Sequence, residues 1–269
     1  MLVVLAVVAA GAYLAHKAAH PGTQETADMP ATPASVPPSA TTPLIQHPIA
    51  QADAPAGASA APLSALDDSD ASVAAALAAL TGGGDLRSLL LPQQVITRIV
   101  ATIDTLPRHA LGTLMLPLRT PNGRFTTTEI DGQMVISSQN AARYAPYMQI
   151  VDSVDPKALV AWYVHAYPLF QQAYRQLGYP KGYFNDRLIV VIDDLLAAPM
   201  LAQPAALTQS GPFRVYADPS LESLSAGQRL LLRVGLVNEA KLKVKLRVVR
   251  AQLTAHALPA APLPAKTAE

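Results

Sequence analysis

The stretch Asp155-Pro-Lys-Ala-Leu-Val-Ala-Trp-Tyr-Val-His-Ala-Tyr-Pro-Leu-Phe-Gln-Gln-Ala-Tyr-Arg-Gln-Leu-Gly178 decides the fold class. Asp155 is a helix N-cap and Pro156 takes the first helical position, where no partner for its missing N–H is needed. Leu159, Trp162, Tyr163, Ala166, Phe170, Ala173, Tyr174 and Leu177 recur at three- and four-residue steps, and Gly178 stands where a helix stops. Pro168 interrupts this pattern by removing one backbone donor, which predicts a kink or a break near Tyr167.

Working outward, Tyr179-Pro-Lys-Gly182 is a turn. Asn185 is then expected to cap a helix with Leu188, Ile189, Ile192, Leu195 and Leu196 inward and Pro199 at its end. Upstream, Asp67-Asp-Ser-Asp70 supplies the cap and first-turn acids of an Ala-rich helix that stops at Gly82-Gly-Gly84. Leu91-Pro92 introduces a helix with Val95, Ile99 and Ile103 or Leu106 on one face. Alternation in Gly123-Arg-Phe-Thr-Thr-Thr-Glu-Ile130, then Asp131-Gly132 and Met134-Val-Ile136, predicts a β-hairpin. Within residues 204–218, Phe213-Arg-Val-Tyr216 reads as a strand. Asp218-Pro219 and Ser225 start short helices, and Gly235 ends the second. The last segment alternates as a strand would, but Leu242, Leu246, Val249 and Leu253 also form a helical stripe with Asn238 as N-cap; length favours helix. The expected fold is mostly α with one small β-hairpin, a single domain over residues 66–255.

The rest of the chain is of another kind. Residues 18–65 are rich in Pro, Ala, Ser and Thr and bury too little to offset chain entropy, so they are expected to be a disordered linker. Its one interruption, Leu44-Ile-Gln-His-Pro-Ile49, is read as a greasy patch of linker, with a short docking motif as the alternative. Residues 256–269 are expected to be a disordered tail. Residues 1–17 hold an uncharged run closed by Lys17. A helix of about 15 residues rises only ~22 Å against a ~30 Å hydrocarbon core, so the run is short for a transmembrane or signal-anchor segment. It lacks the basic start of a signal peptide, yet an anchor fits a run followed by a long tether better than a core helix does.

Among 269 residues, 20 are basic and 19 acidic, which gives no case for nucleic-acid binding from bulk charge. Cysteine is absent, which excludes disulfides, thiolate metal sites and cysteine nucleophiles. The phosphate-loop, dinucleotide, zinc-protease and serine-hydrolase signatures are missing, and His109, His165 and His256 are too scattered for a metal site. No cofactor or metal is expected.

One cluster stands out: Tyr179, Tyr183, Asn185, Asp186 and Arg187, with Phe184 among them. Aromatics, an amide and both charges in one turn suit a recognition surface, though a capped helix start would look similar. Asp186, Asp193 and Asp194 share a helix, but a two-turn separation is too long for a retaining glycosidase pair. Eight of the nine tyrosines lie between Tyr144 and Tyr216, as groove lining or as core filler. Lys241, Lys243, Lys245, Arg247 and Arg250 flank the last apolar stripe, as on a membrane-surface helix or on one whose lysines snorkel around a core contact.

Several stretches resemble an uncharacterised bacterial envelope family, domain of unknown function 3014. They are Leu66-Asp-Asp-Ser-Asp-Ala-Ser-Val73, Leu89-Leu-Leu-Pro92, Asn140-Ala-Ala-Arg-Tyr-Ala-Pro-Tyr147, Tyr167-Pro-Leu-Phe-Gln-Gln-Ala-Tyr174, Leu177-Gly-Tyr-Pro-Lys-Gly-Tyr-Phe-Asn-Asp-Arg-Leu-Ile189, Ala217-Asp-Pro219 and Leu224-Ser-Ala-Gly-Gln-Arg-Leu-Leu-Leu-Arg233. The resemblance implies a Gram-negative envelope protein with an N-terminal membrane segment, a linker and this domain, and it supplies no catalytic residues. The expected protein is therefore single-pass in the inner membrane, with a periplasmic domain that binds a protein or cell-wall partner and is not an enzyme. The alternative is a glycan-acting enzyme using Asp186 or Asp194 with a tyrosine-lined groove.

Overall fold

The computed structural model describes residues 45–49, 63–82, 85–109, 116–211 and 213–255. The membrane segment expected at 1–17, most of the linker and the tail at 256–269 lie outside the described residues. Among the described residues, no helix is long and apolar enough to cross a membrane.

A 3-10 turn, Leu66–Asp68, leads into α1 (Asp70–Leu80), which Thr81 and Gly82 close, the latter at a φ of 57°. A short α2 (Leu86–Leu89) and α3 (Val95–Thr105) follow. Asp70 does not serve its own helix alone: its carboxylate accepts the N–H groups of Gln94 (2.7 Å) and Val95 (2.8 Å) and so caps α3 from outside. β1 (Thr127–Ile130) and β2 (Gln133–Ile136) form the expected hairpin, with Asp131 and Gly132 at φ 51° and 75°, the left-handed pair a tight turn of this kind requires.

Next come α4 (Gln139–Ala142), α5 (Ala145–Ser153) and the long α6 (Pro156–Gln176), capped by the Asp155 carboxylate as expected. Pro168 does not break α6. Its position is exposed, and the buried residues on either side, Tyr163, Ala166 and Tyr167 before it and Leu169, Phe170, Ala173 and Tyr174 after it, hold both halves to one core. Solvent can satisfy the carbonyl that proline leaves without a donor.

α7 (Phe184–Leu196) begins one residue earlier than the expected cap, so Asn185 lies inside the helix and the N-cap position falls to Tyr183. A second hairpin, β3 (Leu207–Ser210) with β4 (Phe213–Tyr216), corrects the expectation of a single one. The two hairpins touch through a bridge between Val135 and Ala206, and they enclose a small apolar cluster of Ile136, Ala205, Leu207, Tyr216, Leu221 and Leu232. A four-residue strand with one buried side chain, Leu207, gives the sequence little alternation to reveal it.

α8 (Pro219–Glu222), α9 (Ala226–Val234) and α10 (Leu236–Ala255) complete the chain. Ser225 and Gln228 form a reciprocal capping box on α9. Asn238 is not the cap of α10: the helix starts two residues earlier, and the Asn238 amide donates back to the Val234 carbonyl at 2.9 Å. Leu242, Leu246, Val249 and Leu253 are buried in the head, so the apolar stripe is not free to lie on a membrane. Four of the five cations beside it, all but Arg247, are held by partners. Lys241 meets Asp152, Lys245 meets the Val154 carbonyl and Arg250 meets Asp193. Lys243 is enclosed, pairing with the buried Glu239 at 2.9 Å and donating to the Ala198 carbonyl just beyond α7.

The main core lies where α6 is surrounded by α1, α3, α7 and α10, with α9 closing the far side against α7 and α10. Tyr163, Phe170, Tyr174 and Phe184 form its aromatic spine. Phe170 stacks on Phe184 with ring centroids 5.8 Å apart and Tyr163 tilts against Phe170 at 5.2 Å, which ties α6 to the start of α7. Of the eight tyrosines from Tyr144 onward, all but Tyr179 and Tyr183 are buried, so they serve mainly as core filler.

Candidate functional site

The turn between α6 and α7 is held from below by Gln171, a buried amide on the core face of α6. Its Oε1 accepts the Phe184 N–H (2.9 Å) and the Tyr167 hydroxyl (2.7 Å), and its Nε2 donates to the Gly182 carbonyl (2.8 Å). Gln171 thus caps α7 in place of the local residue the sequence suggested. Gly182 has no room for a side chain: a Cβ there would come within 2.7 Å of the Tyr174 ring and 3.0 Å of the Tyr179 Cβ.

From this platform the five predicted site residues divide into two groups. Tyr179 and Arg187 turn toward Asp104, a carboxylate on α3 that is almost wholly buried. Arg187 donates through Nε to Asp104 Oδ1 (2.9 Å) and through Nη2 to the Asp104 carbonyl. The Tyr179 hydroxyl donates to Asp104 Oδ2 (3.1 Å), accepts from Arg108 Nη2 (3.0 Å) and lies on a ring stacked 4.6 Å from Tyr174. Arg108 also reaches Asp104 Oδ2 directly. This network joins α3 to the turn.

Tyr183, Asn185 and Asp186 turn the other way, onto residues 45–49 of the linker. The greasy patch docks on the head. Asp186 accepts the N–H of Gln46 at Oδ2 (3.0 Å) and that of His47 at Oδ1 (2.7 Å). Asn185 is fully buried; its Oδ1 accepts from the Tyr163 hydroxyl (3.3 Å) and its Nδ2 donates to the His47 carbonyl (2.9 Å). The Tyr183 hydroxyl accepts the Ile49 N–H at 2.5 Å, and the Ile49 side chain is half-buried against the main core. All four contacts fall on backbone atoms of the segment. Beside it opens a cleft of about 270 Å³ lined by Ile45, Gln46, Tyr174, Lys181, Tyr183, Asp186, Arg187 and Val190.

Burial pushes the hydroxyls of Tyr163 and Tyr167 well above the ordinary phenol range, so both stay protonated and neutral near neutral pH. Asp193 pairs with Arg250 on the surface. Asp194 accepts from Ser225 Oγ (2.7 Å) at the start of α9, and burial raises its carboxyl above the usual range. Asp186 and Asp194 lie eight residues apart on one helix, ~12 Å along its axis, with separate partners. Among the described residues, no cluster of His, Asp or Glu could hold a metal ion.

Sequence reasoning missed Asp104, Arg108 and Gln171. Gln171 carried a readable signal, because it stands four residues after Tyr167 and three before Tyr174, on the inward stripe itself, where a polar side chain has to find partners.

No curated protein and no solved structure matches the chain. A family model described as Protein of unknown function (DUF3014) matches residues 95–250, a span that contains Asp104, Gln171 and the whole turn 179–187 but not the docked residues 45–49. With more than half of its length matched, the chain belongs to that family of proteins of unknown function.

Proposed function

We propose that this chain is a binding module of the cell envelope: residues 1–17 anchor it in the inner membrane, the linker spaces it, and the helical head reaches a protein or cell-wall partner in the periplasm. The observation that carries the reading is the outward group at the start of α7. Asp186 and Tyr183 present acceptors, and the buried Asn185 presents a donor, to polypeptide backbone rather than to the head itself. The periplasmic placement rests on the family resemblance, and the anchor on the uncharged run before Lys17.

Photocrosslinking in living cells from position 190, an exposed residue at the edge of the cleft, tests it. A discrete captured partner that disappears with Asp186→Ala is expected. Crosslinks confined to the chain itself would refute the reading, and a C-terminal reporter active only in the cytoplasm would refute the topology.

A further inference from the structure

We infer that the ledge formed by Tyr183, Asn185 and Asp186 is a binding site for a polypeptide segment bent at two successive residues, with proline ahead of an aliphatic residue after the bend, and that linker residues 46–49 are its resident occupant. The inference rests on the partner-binding reading above and gives it a ligand class.

The hydrogen bonds define what the ledge reads. Residues 46–49 have three backbone N–H groups, because Pro48 has none, and all three are taken: two by the Asp186 carboxylate and one by the Tyr183 hydroxyl. The carbonyl between them, that of His47, accepts from Asn185. Proline falls at the one position of the four where the ledge offers no acceptor. The Gln46 and His47 side chains make no contact of this set, so their identity is not what these bonds select. Selection comes from Ile49, whose side chain is half-buried against the core. A segment with two successive free N–H groups, a carbonyl, a proline and an aliphatic residue satisfies every contact.

The occupant completes the ledge: with it in place the Asn185 amide is wholly enclosed and its Nδ2 group donates to the His47 carbonyl, a bond that an incoming segment has to reproduce. The ledge belongs to the span matched by the family model, whereas its occupant lies about fifty residues before that span begins. The site is thus a feature of the domain, and the segment on it a feature of the linker.

A resident occupant sets the threshold for an incoming one. Thirteen residues, 50–62, join the docked segment to the described chain at Leu63. A tether of about that length holds a segment at millimolar effective concentration, so a free peptide of equal affinity competes poorly until the resident is removed.

The probe is a labelled synthetic peptide with the sequence of residues 43–50, Pro-Leu-Ile-Gln-His-Pro-Ile-Ala. It is titrated against the full native chain and against a full chain whose residues 45–49 are replaced by glycine and serine. The opened chain is expected to bind at least ~10-fold more tightly than the native one. Within the opened chain, Asp186→Ala should weaken binding by ~10-fold or more, and Tyr183→Phe by less. A peptide carrying Asp in place of Ile49 should lose most of its affinity. Equal binding by native and opened chains, or binding indifferent to Asp186→Ala, overturns the inference.

Native-chain Ile49→Asp is the second variant, since it removes only the apolar anchor of the resident and leaves every head residue intact. It too should bind the peptide more tightly than the native chain, and no gain would count against the site. Partner capture in cells without peptide binding would leave the binding module standing and remove the peptide class. Peptide binding without any captured partner would support the site and refute the binding module.

Discussion

Two carboxylates on neighbouring helices do the same kind of work in opposite directions. Asp104 on α3 and Asp186 on α7 each gather donors with both oxygens, and both networks draw on the turn 179–187. The donors to Asp104 are side chains of the head, held at 2.9 Å by Arg187 and at 3.1 Å by Tyr179. The donors to Asp186 are backbone N–H groups lying 139 and 140 residues away in sequence. One set exists only when the head folds, and the other leaves if the linker lifts. The turn is therefore half structural brace and half receptor for linker residues 45–49, a division that its composition alone conceals.

Removing the brace should have the larger effect. Asp104→Ala strands Arg187 and the Tyr179 hydroxyl beside an apolar gap, and breaking a buried ion pair from one side costs about 3 kcal/mol. Urea unfolding of the full chain would show it as a lower midpoint, and an unchanged midpoint would mean that the network is ornamental. Gly182→Ala comes next. Its new Cβ would press on the Tyr174 ring, which Tyr179 and Phe184 hold in place, and such overpacking costs about 1–3 kcal/mol. Because Gly182 joins the two halves, this variant should disturb both brace and receptor; loss of only one would break the comparison.

The receptor half answers to a finer measurement. Asp186→Ala removes two acceptors and a first-turn acid of α7, so the head should lose no more than about 1 kcal/mol. Amide hydrogen exchange should show the difference clearly. Gln46 and His47 are expected to lose protection in this variant, while amides in the middle of α6 keep theirs. Tyr183→Phe should release Ile49 and leave the other two less affected. Loss of protection throughout α7 would show that the segment braces the head as much as Asp104 does.

How much of this was legible follows the range of each interaction. The cap and stripe of α6, the Asp131-Gly132 hairpin and the Ser225 cap were all visible because each is written within a few residues. Of the kink or break that Pro168 foretold by a local rule, the break does not occur, because packing on both flanks keeps the helix continuous. Asn185 misled: an amide at a helix start reads as a cap, yet its partners are Tyr163, on the preceding helix, and His47, far back in the linker. The five candidate residues lie together because they are neighbours in sequence, across the turn and the first turn of α7. Their division was invisible, because Asp104 lies 83 residues before Arg187 and no local spacing connects them. The linker motif showed its aliphatic residues plainly, but not the ledge they meet.

A third carboxylate, two turns further along α7, sharpens the contrast at the smallest scale. Asp194 accepts one hydroxyl, from Ser225, and has neither the guanidinium of the brace nor the backbone pair of the receptor. Burial therefore dominates and raises its carboxyl above the ordinary value of 3.8, outweighing Ser225 and Arg187, which both lower it. A raised folded-state value means that the group favours the fold most below the unfolded value, and that this contribution is lost as pH rises through the folded one. Asp194→Asn keeps an acceptor for Ser225 and removes the charge. Its melting temperature should match the native chain near pH 3.5 and exceed it by on the order of 1 °C at pH 7, because the group is only half-buried. A variant less stable than native at pH 7 would show that Asp194 serves the Ser225 cap as an anion, which would place it with Asp104 among the braces.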